Sequence, residues 1–372
     1  MAVKDLFDTA GLTTTYGSVI FAEHVPQRSA EAVLRLEAGG YANVGKTNLH
    51  EFAYGVTSQN AHFGTVPNPA APGRIAGGSS GGSAAALAAG LADAALGSDS
   101  GGSIRIPAAC CGVVGFKPTF DLVPLDGCFP LAPSFDHAGP MARSVADCTA
   151  MMRVLAPEFA PERDTALDEV VVAVAWTSLA DPLVRECVER AATLFPKARP
   201  IDFPLPDGLQ HGFMREVADV HRSLFPERSE DYGENVRTKV QRCFDVTEDE
   251  AEASRRSRAA YRMAAESALE GVDLLLVPTL AIVAPPADVN EIDIRMRVIQ
   301  FTIPFNALGW PALALPCGAA EDGLPASVQL VGRPGADALV LAVGEALEAA
   351  LTCASPERGQ VVSRPSCPQV PD

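Results

Sequence analysis

Two spacings of apolar residues run along the chain. Short apolar runs at Val170–Trp176, Asp273–Pro278, Pro311–Pro316 and Ser327–Gly332 are too brief for helices and predict buried strands. Pro182–Thr193 and Glu248–Leu269 carry their charges on one periodic face, and Asp337–Ala350 repeats apolar positions at helical spacing, so each predicts a helix. Ser29–Ala38 has the same spacing and meets a helix stop at Gly39-Gly40. Tyr41–Val44 then reads as a strand. Glu216–Lys239 is polar and charged, which predicts a surface segment. Strands alternating with helices imply α/β layers. Nothing repeats and nothing resembles a linker, so the expected architecture is one large domain. The tail after Leu351, with Pro356, Pro365, Pro368 and Pro371, is expected to be disordered over 353–372.

Composition narrows the function. A 372-residue chain that is 48% apolar and 20% charged can bury a large core. Its 46 acidic and 29 basic residues leave a net charge of −17, which argues against nucleic-acid binding as the main role unless a local basic patch supplies it. No uninterrupted apolar run is long enough to cross a membrane. The start, Met1-Ala2-Val3-Lys4-Asp5, has no secretion signal. The nine cysteines form neither a CxxC pair nor a cluster with histidine, so reduced thiols in a cytoplasm are expected rather than a disulfide frame or a zinc site.

Residues 1–155 are rich in Gly, Ala and Ser, and two segments there carry the chemistry. Gly77-Gly78-Ser79-Ser80-Gly81-Gly82-Ser83 runs into the alanine-rich stretch Ala84–Gly90. A Gly-Ser loop opening a helix presents free N–H groups and hydroxyls to a ligand. A flexible linker would not run into a small-residue helix and then into a second motif of the same kind. That second motif, Gly97–Pro107, holds Ser100-Gly101-Gly102-Ser103, a turn that can aim several N–H groups at one oxyanion. Two serines and a lysine can perform acyl transfer without histidine, one serine relaying a proton to the lysine while the other attacks. Lysines are few: Lys4, Lys46, Lys117, Lys197 and Lys239.

Other motifs fail on context. Gly40–Thr47 matches the phosphate-loop pattern, but a helix precedes it where a strand is needed. Gly77–Gly81 matches a nucleophile elbow, yet the preceding Asn68–Arg74 is turn-like. His137 reads as a hydrogen-bonded loop residue, Cys110-Cys111 as small buried thiols, and His211 and His221 as exposed.

These residues resemble the amidase signature family. The match runs through Ala2–Asp5, Thr14–Ser18, Gly45–Phe52, Gly77–Gly90, Asp99–Pro107, Gly115–Thr119 and Asp136–Met141. It resumes at Leu274–Pro278, Asn306–Pro316 and Gln329–Gly332, and involves about two thirds of the chain. The pairing of GGSSGGS with GGSIR, 24 residues apart, is highly specific. The resemblance implies an α/β fold with a central mixed β-sheet covered by helices on both faces. It implies an amidase domain over 1–352, divided into a catalytic core (1–155), a variable substrate wall (156–270) and a return to the sheet (271–352). It implies a Ser–cis-Ser–Lys triad in which Ser103 is the nucleophile, Ser79 the bridging serine after a cis bond, and Lys4, rather than Lys46, the base. The backbone N–H groups of Ser100, Gly101, Gly102 and Ser103 would form the oxyanion hole.

The implied activity is hydrolysis of a carboxylic amide to an acid and ammonia or an amine, by a triad that needs no metal and no cofactor. The alternatives are the A subunit of a glutamyl- or aspartyl-tRNA amidotransferase and a truncated inactive relative. In those subunits an Asp helps to hold glutamine, and the matching position here is Ile299. Family members carry a helical leader before the lysine strand. Here Met1 lies three residues before Lys4, so a form with this start is expected to be less active than a longer one. The expected partner is a small amide substrate; a homodimer is left open, and neither nucleic acid nor a membrane is expected.

Overall fold

The computed structural model describes residues 1–162 and 165–354. The strands are β1 (Ala2–Lys4), β2 (Gly45–Thr47), β3 (Gln59–Asn60), β4 (Gly64–Thr65), β5 (Ala94–Asp99), β6 (Val114–Lys117), β7 (His137–Ala142), β8 (Val172–Val174), β9 (Ala198–Pro200), β10 (Leu274–Pro278), β11 (Ala312–Ala319) and β12 (Pro325–Val331). Among the described residues, ten of them form one sheet in the order β2-β1-β5-β7-β6-β11-β12-β10-β8-β9, and β3 and β4 pair separately. The sheet is mixed: β1 runs parallel to β2 and β5, β10 to β8, and β8 to β9, whereas β5–β7, β7–β6, β6–β11, β11–β12 and β12–β10 are antiparallel.

Helices cover both faces of the sheet, which explains strands with little polar alternation. Along β10, Leu274 and Leu276 enter the largest apolar cluster with Leu313, Val328 and Leu330, while Leu275 and Val277 join Trp310, Phe301 and Phe305 in another. Successive side chains point to opposite faces, so a run buried on both sides reads as continuously apolar. Helices Val145–Leu155 and Asp337–Ala354 pack on each other, and Asp337–Ala354 also packs on β11. Helices Gly81–Ala88 and Arg105–Cys111, which follow the two serine motifs, pack against each other. Strands β8 and β9 place part of segment 156–270 at one edge of the sheet.

Three local expectations need correction. The strand expected at Tyr41–Val44 forms instead at Gly45–Thr47, because β1 pairs in the register Ala2–Gly45 and Lys4–Thr47. Tyr41 packs on the core from outside the strand, and Val44 is exposed. The segment expected to be a polar surface, Glu216–Lys239, belongs to helices Gln210–His221, Phe225–Arg228 and Glu234–Phe244. His221, Tyr232, Val236 and Val240 are buried there; His221 meets Phe52 edge to face and Tyr232 packs on it at a tilt. Sparse apolar residues at helical spacing suffice to seat these helices, and a count of charges hides them. His137 opens β7 and is buried. Of the tail, Cys353 and Ala354 end the last helix, and the rest lies outside the described residues.

Candidate active site

Lys4 ends β1, a strand hydrogen-bonded on both sides, by β2 and by β5. Its side chain is fully buried. The ammonium nitrogen donates to Ser79 Oγ at 2.6 Å and to Ser98 Oγ at 2.8 Å. Burial disfavours the charged form and pulls this lysine down to about 7, although Cys128, Asp99 and Asp136 act in the opposite sense. Lys46 points elsewhere. It donates to the Phe7 carbonyl at 2.6 Å and to Thr14 Oγ1 at 2.8 Å, and it pairs with Asp5 at 3.0 Å. Asp5 also accepts from the N–H and hydroxyl of Thr15, so the residue after Lys4 is anchored on two sides.

Ser79 lies just ahead of helix Gly81–Ala88, and the Gly78–Ser79 bond is cis. Its carbonyl accepts from His50 N–H and from Ser58 Oγ, each at 3.2 Å. Beneath this loop lies a charged cluster: Glu291 pairs with Lys239 at 3.1 Å and Arg295 at 2.7 Å, and stands 3.5 Å from His50. It ties helices Glu234–Phe244 and Glu291–Ile299 to the loop. The two serine loops are joined directly, because Ser80 N–H donates to the Ser103 carbonyl at 3.1 Å. Ser103 itself is buried.

The nucleophile loop is built around Asp99, the last residue of β5. Its carboxylate accepts from the N–H of Gly102 at 2.7 Å, Ile104 at 3.1 Å and Arg105 at 3.4 Å. The Arg105 guanidinium grips the same carboxylate through Nε at 3.0 Å and Nη2 at 2.9 Å. It also reaches Asn306 Oδ1 at 2.7 Å, Gln329 Oε1 at 2.6 Å and the Thr302 carbonyl at 2.9 Å. Asn306 donates back to the Asp99 carbonyl and carboxylate. All four side chains are fully buried. Burial alone would raise Asp99, but the Arg105 charge and its hydrogen bonds hold it well below the usual carboxylate range.

This arrangement alters the expected oxyanion hole. Gly102 N–H is committed to Asp99, so it is not free for a substrate oxygen. Gly102 has φ +131, and a Cβ there would lie 2.2 Å from Thr302 Oγ1, so glycine is required. The N–H groups of Ser100, Gly101 and Ser103 are not engaged by other described parts of the chain. Ile299 packs on this loop, 3.0 Å from where a Cβ on Gly101 would sit.

Residue patterns alone did not pick out Ser98, Asp99, Arg105, Asn306 or Gln329. Their signal was weak: all but Ser98 lie within the stretches that resemble the family, but their partners are up to 224 residues away. His137 does not touch Lys4 or Ser79 but borders the Asp99 network, with Nδ1 3.3 Å from the Asp99 carbonyl and 3.4 Å from Asn306 Nδ2. Its Nδ1 lies 2.7 Å from the Phe135 carbonyl, and burial pulls it well below its ordinary value. Cys110 and Cys111 are buried, as expected of packing thiols, and burial raises both.

A family model described as Amidase matches residues 1–341. The chain belongs to the amidase family. This amidase is 33% identical to the glutamyl-tRNA(Gln) amidotransferase A subunit of Haloarcula marismortui, over 93% of this chain and 94% of that protein. A crystal structure of an amidase superposes with a TM-score of 0.87 at 38% identity, covering 94% of this chain and 83% of the other. The glutamyl-tRNA(Gln) amidotransferase A subunit of Thermotoga maritima superposes at 0.79 with 31% identity, covering 93% and 82%. The chain is therefore an enzyme of a family that acts on the C–N bonds of amides.

Proposed function

We propose that this amidase hydrolyses a carboxylic amide to an acid and an amine through an acyl-enzyme on Ser103. The observation that carries the reading is the buried Lys4, short of its usual proton affinity and hydrogen-bonded to Ser79. Neutral Lys4 accepts the Ser79 proton as Ser79 accepts the Ser103 proton. Ser103 Oγ attacks the amide carbonyl, and the N–H groups of Ser100, Gly101 and Ser103 hold the oxyanion. The C–N bond breaks as the nitrogen takes a proton back through Ser79. Water then attacks the ester by the same relay and releases the acid. The Asp99–Arg105–Asn306–Gln329 network fixes the loop and touches no reacting atom. Free thiols among the described cysteines fit a reducing cytoplasm.

A fluorophosphonate probe, mapped by mass spectrometry, tests this. It is expected to label Ser103 and to leave Ser103→Ala unlabelled; labelling that survives in Ser103→Ala overturns the nucleophile assignment. A second reading, the glutaminase component of a tRNA amidotransferase, is favoured by the names of the relatives. Ile299 on the Gly101 loop, where an Asp would help to hold glutamine, argues against it. Ammonia or amine release from simple amides by the purified chain supports the hydrolase, and turnover only with partner proteins and tRNA supports the second reading.

A further inference from the structure

Strands β5 and β7 pair antiparallel in the register Gly97–Gly139, Ser98–Ala138 and Asp99–His137. One step further along, Ser100 leaves β5 opposite Asp136, the residue that leads into β7. Alternate side chains share a face of a sheet, so Ser98 and Ser100 point the same way and Asp136 stands across from Ser100. All three residues line one cavity of about 140 Å³. The Asp136 carboxylate accepts from the Ser100 hydroxyl, and from the N–H groups of Leu131 at 2.8 Å and Ala132 at 3.1 Å. Ser98 is the second hydroxyl bound to Lys4.

The backbone on either side of Asp136 is fixed. The Phe135 carbonyl accepts from Asn306 Nδ2 at 3.1 Å, and His137 opens β7. A buried carboxylate held in this way is a rigid seat for the Ser100 hydroxyl, and Ser100 opens the turn whose N–H groups are free for an oxyanion. Asp136 also acts on Lys4. Three groups favour the Lys4 ammonium: Cys128, Asp99 and Asp136. Asp99 is spent on Arg105, and burial holds the Cys128 thiol protonated. Among the described residues Asp136 has no ion-pair partner, and Glu216, a like charge, acts on it. Its charge is left to face the ammonium that forms when Lys4 takes the relay proton. We propose that Asp136 is a positioning residue for the attack: it seats Ser100 at the head of the oxyanion turn and sets its charge against the Lys4 ammonium. This rests on the Ser103 acyl-enzyme with Lys4 as base.

The pH profile of fluorophosphonate labelling at Ser103 tests this. In Asp136→Asn the amide oxygen can still accept from Ser100, but the charge is gone and Lys4 gives up its proton more easily. The break in the profile is expected to move from about 7 downward by about half a unit. At pH 5 the labelling rate, relative to its own plateau, is then about threefold higher than in the unaltered enzyme. Ser100→Ala removes the hydrogen bond and keeps the charge, so its break is expected to stay in place while its plateau falls about tenfold. A role confined to holding the Leu131–Ala132 turn would slow Asp136→Asn without moving its break, and that result overturns the proposal. So does a Ser100→Ala enzyme labelled as fast as the unaltered one. If Asp136→Asn fails to fold, Ser100→Ala decides alone. In either case, labelling of the unaltered enzyme at Ser103 with a break near 7 preserves the acyl-enzyme reading; absence of labelling there overturns both.

Discussion

The decisive perturbation is pH, acting on Lys4. Burial brings this lysine from 10.5 to about 7. That displacement corresponds to about 5 kcal/mol against the charged form. At pH 7 about half of the molecules then carry neutral Lys4, against about one in 3,000 for an ordinary ammonium. If neutral Lys4 drives Ser103, the rate of fluorophosphonate labelling rises about tenfold per pH unit below 7 and levels off above it. At pH 5 it lies about a hundredfold below the plateau. Lys4→Arg, which cannot lose its proton, is expected to fall by orders of magnitude at every pH. Stability follows the same proton. Between about pH 7 and 10.5 the unfolded chain binds the Lys4 proton and the folded protein does not, so this residue makes stability rise with pH across that window and fall as pH drops through it. Urea unfolding at several pH values should show a shallower rise for Lys4→Met. A labelling profile that is flat from pH 5 to 9, or that breaks only above 9, refutes the reasoning.

Two further predictions concern the loop that carries Ser103. Asp99→Asn leaves Arg105 buried beside a neutral amide, and breaking such a pair costs about 3–5 kcal/mol; chemical denaturation should register it, and a loss below about 1 kcal/mol would show that Asn306 and Gln329 suffice. Gly102→Ala forces a Cβ against Thr302 at a backbone angle that side chains rarely adopt, so the loop must shift. A displacement of about 1 Å costs about a hundredfold in rate, readable as slower labelling of Ser103, and an unchanged labelling rate would contradict it.

Much of the molecule is legible in its sequence. The apolar runs at Asp273–Pro278, Pro311–Pro316 and Ser327–Gly332 correspond to β10, β11 and β12 within a few residues, because strands covered on both faces need little more than hydrophobicity. The helices near Pro182–Thr193 and Glu248–Leu269 were equally plain from their charged faces. The helices around Glu216–Lys239 were not, since their buried side chains are few and their seats lie on other segments.

The sequence by itself determined the chemistry on offer: two glycine-framed serines 24 residues apart, a small set of lysines, and loops that only glycine permits. Tertiary structure decided which lysine meets Ser79, that Ser98 shares it, and that Gly102 N–H is spent on Asp99. It also decided the acidity of Lys4, because desolvation is a property of everything packed around a charge and is written in no single residue. Arg105 shows the same division: its identity is local, but its partners Asn306 and Gln329 reach it only after the chain has folded back on itself.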